Sequence, residues 1–231
     1  TVHLVHHDVL TPDGVTFKAT KAREAEFFAG KDLWFRPIHM RVGPDGALYV
    51  LDFYNQAVVH NDTRGPQHGP TNAAKRPDRD HSHGRIWRVQ HKQAKTTPPP
   101  RLAGGSGDVL VAALDHSNGW VRECAQRLIV ERGDKELLLP LKQVAYHGTR
   151  PAARIRAAWC RWMLKGNEEE VTALLADSDP GVRRAALRIE ALHEPRHGET
   201  SARPQPSSTL ADPDARVRLL TMITLRPGAY E

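Results

Sequence analysis

The sequence predicts two fold classes in tandem. An all-β stretch resembling the last blade or two of a β-propeller is followed by an all-α solenoid of paired helices. Three observations carry this. Arg36–Tyr54 holds two strand-like arms around Gly43-Pro44-Asp45-Gly46. Three consecutive prolines, Pro98-Pro99-Pro100, stand between the halves. Beyond Gly105 the period becomes helical and a short unit recurs.

The β half is expected over residues 1–92. Val2–Leu10 reads as one strand, Thr11-Pro12-Asp13-Gly14 as a turn and Val15–Thr20 as its partner. Lys21–Trp34 reads as a connector. In the next hairpin Pro44 presets a turn φ, and Gly46 accepts positive φ without a Cβ clash. Leu48 and Val50 alternate with Tyr49 and Leu51 at the period of a strand. Residues 55–83 form a long insertion rich in Asn, Asp, His, Pro and Gly, of a length usually tied to a site or a cover. Gly84–Val89 reads as the strand that closes the blade. The chain opens on Thr1-Val2-His3-Leu4, already strand-like and without Met, and is expected to be an internal piece of a longer protein.

Residues 93–105 are expected to be a stiff Pro/Gly-rich linker. Residues 106–231 then repeat a short helix, an Asp-rich turn and a second helix opening near Val-Arg. Copies lie at Leu110–Arg122, Leu174–Ala186 and Leu210–Arg218, with a degenerate one at Arg150–Ala158. Marker arginines at 122, 156, 183 and 218 are 34, 27 and 35 residues apart, a spacing typical of solenoids. Asp179 is expected to cap a helix with Pro180 at its first position, and Asp212-Pro213 to repeat the arrangement. Val182, Ala185, Ala186, Ile189 and Leu192 share one predicted face, and Ile155, Ala158, Trp159, Trp162 and Met163 another. A single pair cannot bury such a face, so neighbours must stack. Arg203-Pro204-Gln205-Pro206 leaves little room for the last first helix.

Composition narrows the function. The chain has 231 residues and 39% hydrophobic content, that of a folded chain. No apolar run approaches the roughly 18–20 residues that cross a bilayer. The net charge of +6 is uneven: residues 1–105 hold 15 Lys/Arg against 10 Asp/Glu, whereas residues 106–231 hold 18 against 17. A near-neutral helical array argues against nucleic acid as a partner. Cys124 and Cys160 sit in helical sequence outside any CxxC or CxxCH motif, as buried thiols do.

The candidate sites are few. Asp52 ends an inner strand, where propellers line a central pocket, so it is a candidate for a cofactor or cation. Its structural alternative is hydrogen bonding to the next connector. Arg36 is a candidate pocket cation, or the partner of a neighbouring carboxylate. His81 and His83 share one face if their strand begins early, and could bind a metal with Asp52 or His39 nearby; the alternative is a hydrogen-bonded surface cluster. His6 and Asp8 fall on one face of an exposed strand. No catalytic triad, phosphate-cradling glycine loop or paired-carboxylate motif stands out.

Trp34-Phe35-Arg36-Pro37, the run from Gly43 to Asn55 and Arg79–Val89 resemble one family in particular. It is the large membrane-associated dehydrogenase-like proteins of Planctomycetes and Verrucomicrobia. These join a propeller similar to PQQ-dependent sugar dehydrogenases to HEAT-like repeats, often followed by a cytochrome c domain. The resemblance implies a secreted or periplasmic protein that oxidises sugars or alcohols and passes electrons to haem. It implies PQQ and haem c in the full-length protein, with neither demonstrable in this segment. Its implied partners are other blades of the same chain and a cytochrome c domain or protein. Most of the family's catalytic residues would lie in earlier blades, so this segment by itself is expected to be inactive, a propeller end and helical scaffold. The alternative is a non-catalytic interaction scaffold built from the same two parts.

Overall fold

A computed structural model describes residues 3–55, 82–95, 98–164, 169–192 and 206–224. The chain divides into two units by contact density: residues 1–11 with 19–98, and residues 12–18 with 99–231. Small antiparallel sheets occupy the N-terminal part and helices the C-terminal part. No closed propeller is seen among the described residues.

The main sheet has three strands, β5 (Pro37–Val42), β6 (Leu48–Asp52) and β7 (Arg85–Val89), in that order and all antiparallel. The expected hairpin turn is present. The Gly43 N–H donates to the Ala47 carbonyl at 2.8 Å, and Gly46 takes φ +79°. Asp45 accepts from the Ala47 N–H and from the Tyr49 hydroxyl. Register places Val42, Leu48 and Val89 in one row, Met40, Val50 and Trp87 in the next. Asp52 opposite Arg85 ends that same face. Phe28, Phe35 and Trp87 form a triangle of edge-to-face rings with centroids 5.2–6.2 Å apart. Phe35 and Val50 are fully buried, whereas Met40 and Val42 remain exposed.

The first hairpin departs from expectation. Val2–Leu10 is not one strand: β1 (Leu4–Val5) pairs with β4 (Phe28–Ala29), inside the expected connector. The partner of β3 (Thr16–Lys21) is instead β2 (Asp8–Asp13). The chain turns at Gly14, φ +58°, because glycine accepts that backbone where Thr11–Asp13 stay extended. Val5 supplies the physical reason for the break, being buried while every residue of β2 and β3 is exposed. The insertion expected at 55–83 lies outside the described residues from 56 to 81.

The helical part contains α1 (Gly107–Ala113), α2 (Gly119–Arg132), α3 (Leu138–His147), α4 (Pro151–Met163), α5 (Glu169–Ala173), α6 (Pro180–Ala191) and α7 (Ala215–Thr224). Short 3-10 turns at Leu174–Ala176 and Pro206–Ala211 precede α6 and α7. The second of these stands where the proline-rich run left room for little helix. Helices α2, α4, α6 and α7 pack in succession. The core of the helical part includes Leu110, Leu114, Val121, Ala125, Ile129, Leu141, Ala157, Cys160, Val182 and Ala186. Leu102, expected in the linker, is buried in this core.

The predicted face of α4 is rotated. In α4 the deeply buried residues are Ala153, Ala157, Ala158, Cys160 and Arg161. Trp159 and Trp162 sit partly buried, 5.6 Å apart, and Met163 is exposed. Alanines let neighbouring helices approach closely, so the small residues take the contact line and the large ones its rim. In α6 the predicted face holds, with Val182, Ala185, Ala186 and Ile189 buried; Leu187 is buried beside them, and Leu192, just past the helix end, is exposed.

Candidate functional site

The densest polar site in the sheet unit is built around Asp52, at the end of β6. Its side chain is fully buried and its Cα lies opposite Arg85. Oδ1 accepts from the Arg36 N–H at 2.7 Å and from the Tyr54 N–H at 3.0 Å. Oδ2 accepts from Arg85 Nε at 2.8 Å and from Trp87 Nε1 at 3.0 Å. A carboxylate offers about four acceptor positions, and here four protein donors take them. Burial alone would push this carboxyl up; the hydrogen bonds from Arg36, Trp87, Tyr54 and Arg85 outweigh it and hold the group below its ordinary range.

Arg85 extends the site. Its Nη1 donates to Asp32 at 2.8 Å, and its guanidinium lies 3.8 Å from the centre of the Tyr54 ring. Tyr54 occupies left-handed backbone at φ +48°, a conformation uncommon for a non-glycine residue. The arrangement joins the entry to β5, the exit of β6 and the start of β7. It fixes three chain segments through one carboxylate.

Of the residues singled out in the sequence, Arg36 and Asp52 are brought together, though through the Arg36 backbone. The Arg36 side chain is buried and turns the other way. Its Nη1 lies 2.7 Å from the Leu33 carbonyl and 2.6 Å from His3 Nδ1. The structural alternative for Asp52, bonding to a connector, matches its geometry, and its carboxylate takes the Arg85 side chain. His83 is exposed just before β7, and His81 lies outside the described residues. Among the described residues no group of three His, Cys, Asp or Glu side chains is gathered to hold a metal. His6 does meet Asp8, at 2.9 Å, and also Glu26 at 2.6 Å, an exposed cluster that raises the His6 pKa chiefly through Glu26. Asp32, Arg85 and Tyr54 were not singled out in the sequence. Opposite charges 53 residues apart leave no periodic trace there.

A second set of charged contacts recurs through the helical unit. Asn118, Asp179 and Asp214 cap α2, α6 and α7, accepting from the N–H groups of Trp120, Gly181 and Arg216. The expected Asp212-Pro213 cap is therefore displaced by two residues, to Asp214. Two positions before each cap, His116, Asp177 and Asp212 accept the N–H of the cap residue at 2.8–3.0 Å. Four positions after it, Arg122, Arg183 and Arg218 each donate Nη1 back to the carbonyl six residues earlier, at 2.6–2.7 Å. Arg154 makes the same contact to Gly148 at 2.9 Å, so Arg154 and not Arg156 is the equivalent arginine. Arg156 instead reaches Gln126 and Glu123.

The remaining edge of these guanidinium groups joins neighbouring pairs. Arg154 grips Asp177 with Nε and Nη2, both at 2.9 Å, and Arg183 grips Asp212 the same way at 2.7 Å. Among the described residues Arg122 has no such partner, because Gly148 stands where the aspartate would be. A Cβ at Gly148 would meet the Val144 carbonyl at 2.6 Å, which shuts out a side chain. Arg122 Nε is correspondingly buried without an acceptor. At that joint Asp115 takes over, accepting from Thr149 and Arg150.

Residues 1–93 match the model of a family described as a domain of unknown function, DUF7133. No curated protein matches the chain. Among the described residues no helix is long and apolar enough to cross a membrane.

Proposed function

We propose that this segment is a structural module: the end of a β-propeller joined to a HEAT-like helical scaffold, within a dehydrogenase-like protein that oxidises sugars or alcohols. The observation that carries it is the saturation of Asp52. The best acidic candidate in the sheet unit is occupied by four protein donors and holds strands rather than a ligand. The partly uncovered apolar row of Met40, Val42 and Trp87 supports a blade that packs on a neighbouring blade. Cofactor chemistry, PQQ with haem c as acceptor, belongs in this reading to other parts of the full-length protein, in a periplasmic or secreted setting.

The test compares the 231-residue chain with the full-length gene product. Titrated with PQQ and followed by absorbance, the segment should show no saturable binding, while the full-length protein binds PQQ and reduces a cytochrome c. Saturable binding by the segment would overturn the division of labour. A full-length protein that binds no PQQ and reduces no haem would remove the dehydrogenase part. The second reading, a non-catalytic interaction scaffold, would then stand on the same saturated site.

A further inference from the structure

Three helices in succession carry the same arginine fork, and two of the forks clasp an aspartate in the turn of the next helix pair. Arg154 of α4 holds Asp177 ahead of α6, and Arg183 of α6 holds Asp212 ahead of α7. Arg218 of α7 is the third. Its Nη1 is fixed on the Asp212 and Pro213 carbonyls as in the earlier copies. Among the described residues its Nε and Nη2 have no acceptor. The fork is thus pre-oriented by its own turn.

The surface beside it has the matching character. Superposing the repeats by their arginines places Met222 where α6 has Leu187 and α4 has Ala158. Those two are 1% and 2% exposed, in helices that a following helix packs against; Met222 is 59% exposed. Leu219 and Ile223 stand where α6 carries the half-buried Arg184 and the exposed Arg188, and both are exposed, Ile223 by 69%. Leu219, Met222 and Ile223 fall at i, i+3 and i+4, so they form one apolar strip. In α4 the same two positions hold Ile155 and Trp159, both partly buried against the core, so aliphatic side chains left open there in α7 mark this strip as a surface meant to be covered.

We infer that the outer face of α7 docks a further helix pair, whose turn presents an aspartate two residues ahead of its N-cap to the Arg218 fork. The continuing α4, α6 and α7 interface fixes the geometry of that contact, and the guanidinium selects a carboxylate because its planar edge bonds both oxygens at once. A second copy of this chain is the poorer fit. Its leading turn offers His116 at the required position, and the adjacent Asp115 is engaged by Thr149 and Arg150.

The test uses the chain's own repeat as probe. Duplicating residues 190–224 after Thr224 places a second Asp212 turn 29 residues beyond Arg218, the separation between Arg183 and Asp212. Hydrogen exchange on the peptide spanning the first α7 and the new junction should slow at least tenfold relative to the 231-residue chain. Asp212→Asn made only in the second copy should abolish most of that protection, as should Arg218→Lys. Unchanged exchange after duplication, or protection indifferent to Asp212→Asn, would overturn the proposal. A second variant guards against a duplicated segment that does not fold. In the ordinary chain, the triple change Leu219→Ser, Met222→Ser, Ile223→Ser should leave the urea midpoint unchanged, since the strip is uncovered. A marked fall would show that the strip is already used within the chain, and would also overturn it.

Discussion

Asp52 holds three strand ends through four hydrogen bonds, and its replacement tests that directly. Asp52→Asn keeps the shape but leaves Arg85 Nε and Trp87 Nε1 without the carboxylate oxygen they share. The cost should be about 2–4 kcal/mol, discounted from the fully buried case because Arg85 is partly exposed. Urea unfolding at pH 7 measures it. The same group sets a pH dependence. Its folded-state pKa lies below the unfolded value of about 4, so its contribution is complete above that pH and is lost as pH falls toward the folded value. Acid unfolding should therefore be shallower in Asp52→Asn than in the parent chain. Cys160 gives a third check. Burial pushes its thiol up to about 12, so at pH 8 it should resist a thiol reagent until urea unfolds the chain, as peptide mass mapping would show.

At the scale of elements, the β5–β6 turn and the helix turns show what sequence reveals and what it hides. Pro44, Asp45 and Gly46 announced their hairpin because each residue type has a local backbone reason to be there. The tightness of the turn was not announced. A Cβ at Gly43 would lie 2.3 Å from the Tyr49 ring, whose hydroxyl is tied to Asp45. Gly43→Ala should destabilise by about 1–3 kcal/mol, measured by thermal unfolding, because the ring must swing off its partner. In the helices, the Val-Arg recurrence was legible, but its register at α4 was not. Arg154 and Arg156 are both arginines of a helical stretch, and what distinguishes them is their partners, Gly148 and Asp177 for the one, Gln126 and Glu123 for the other. Similarly Asp212 and Asp214 both look like caps; their roles separate once Arg183 claims one of them. Sequence periodicity reports which face a residue occupies, while these assignments depend on partners in a different helix or turn. A double-mutant cycle on Arg183→Lys and Asp212→Asn should give a coupling of about 1–3 kcal/mol, and the same cycle on Arg156 and Glu123, an exposed pair, close to none.

Across the whole molecule, Asp52 and the aspartates of the helix turns are engaged in holding structure. Asp52 joins strand ends, and Asp177 and Asp212 join helix pairs. In the helical part, whose sequence holds 18 basic and 17 acidic residues, Arg154–Asp177 and Arg183–Asp212 meet as such pairs. Apolar side chains stand exposed both on the sheet, at Met40, Val42 and Trp87, and on α7, at Leu219, Met222 and Ile223. Carbon-13 NMR of the side-chain carboxyls reads these groups together. Asp52 and Asp212 should both titrate below the ordinary carboxylate range, and neither resonance should move when PQQ or a divalent cation is added. An Asp52 that titrates near 4, or one whose signal shifts as either ligand saturates the chain, would contradict the account.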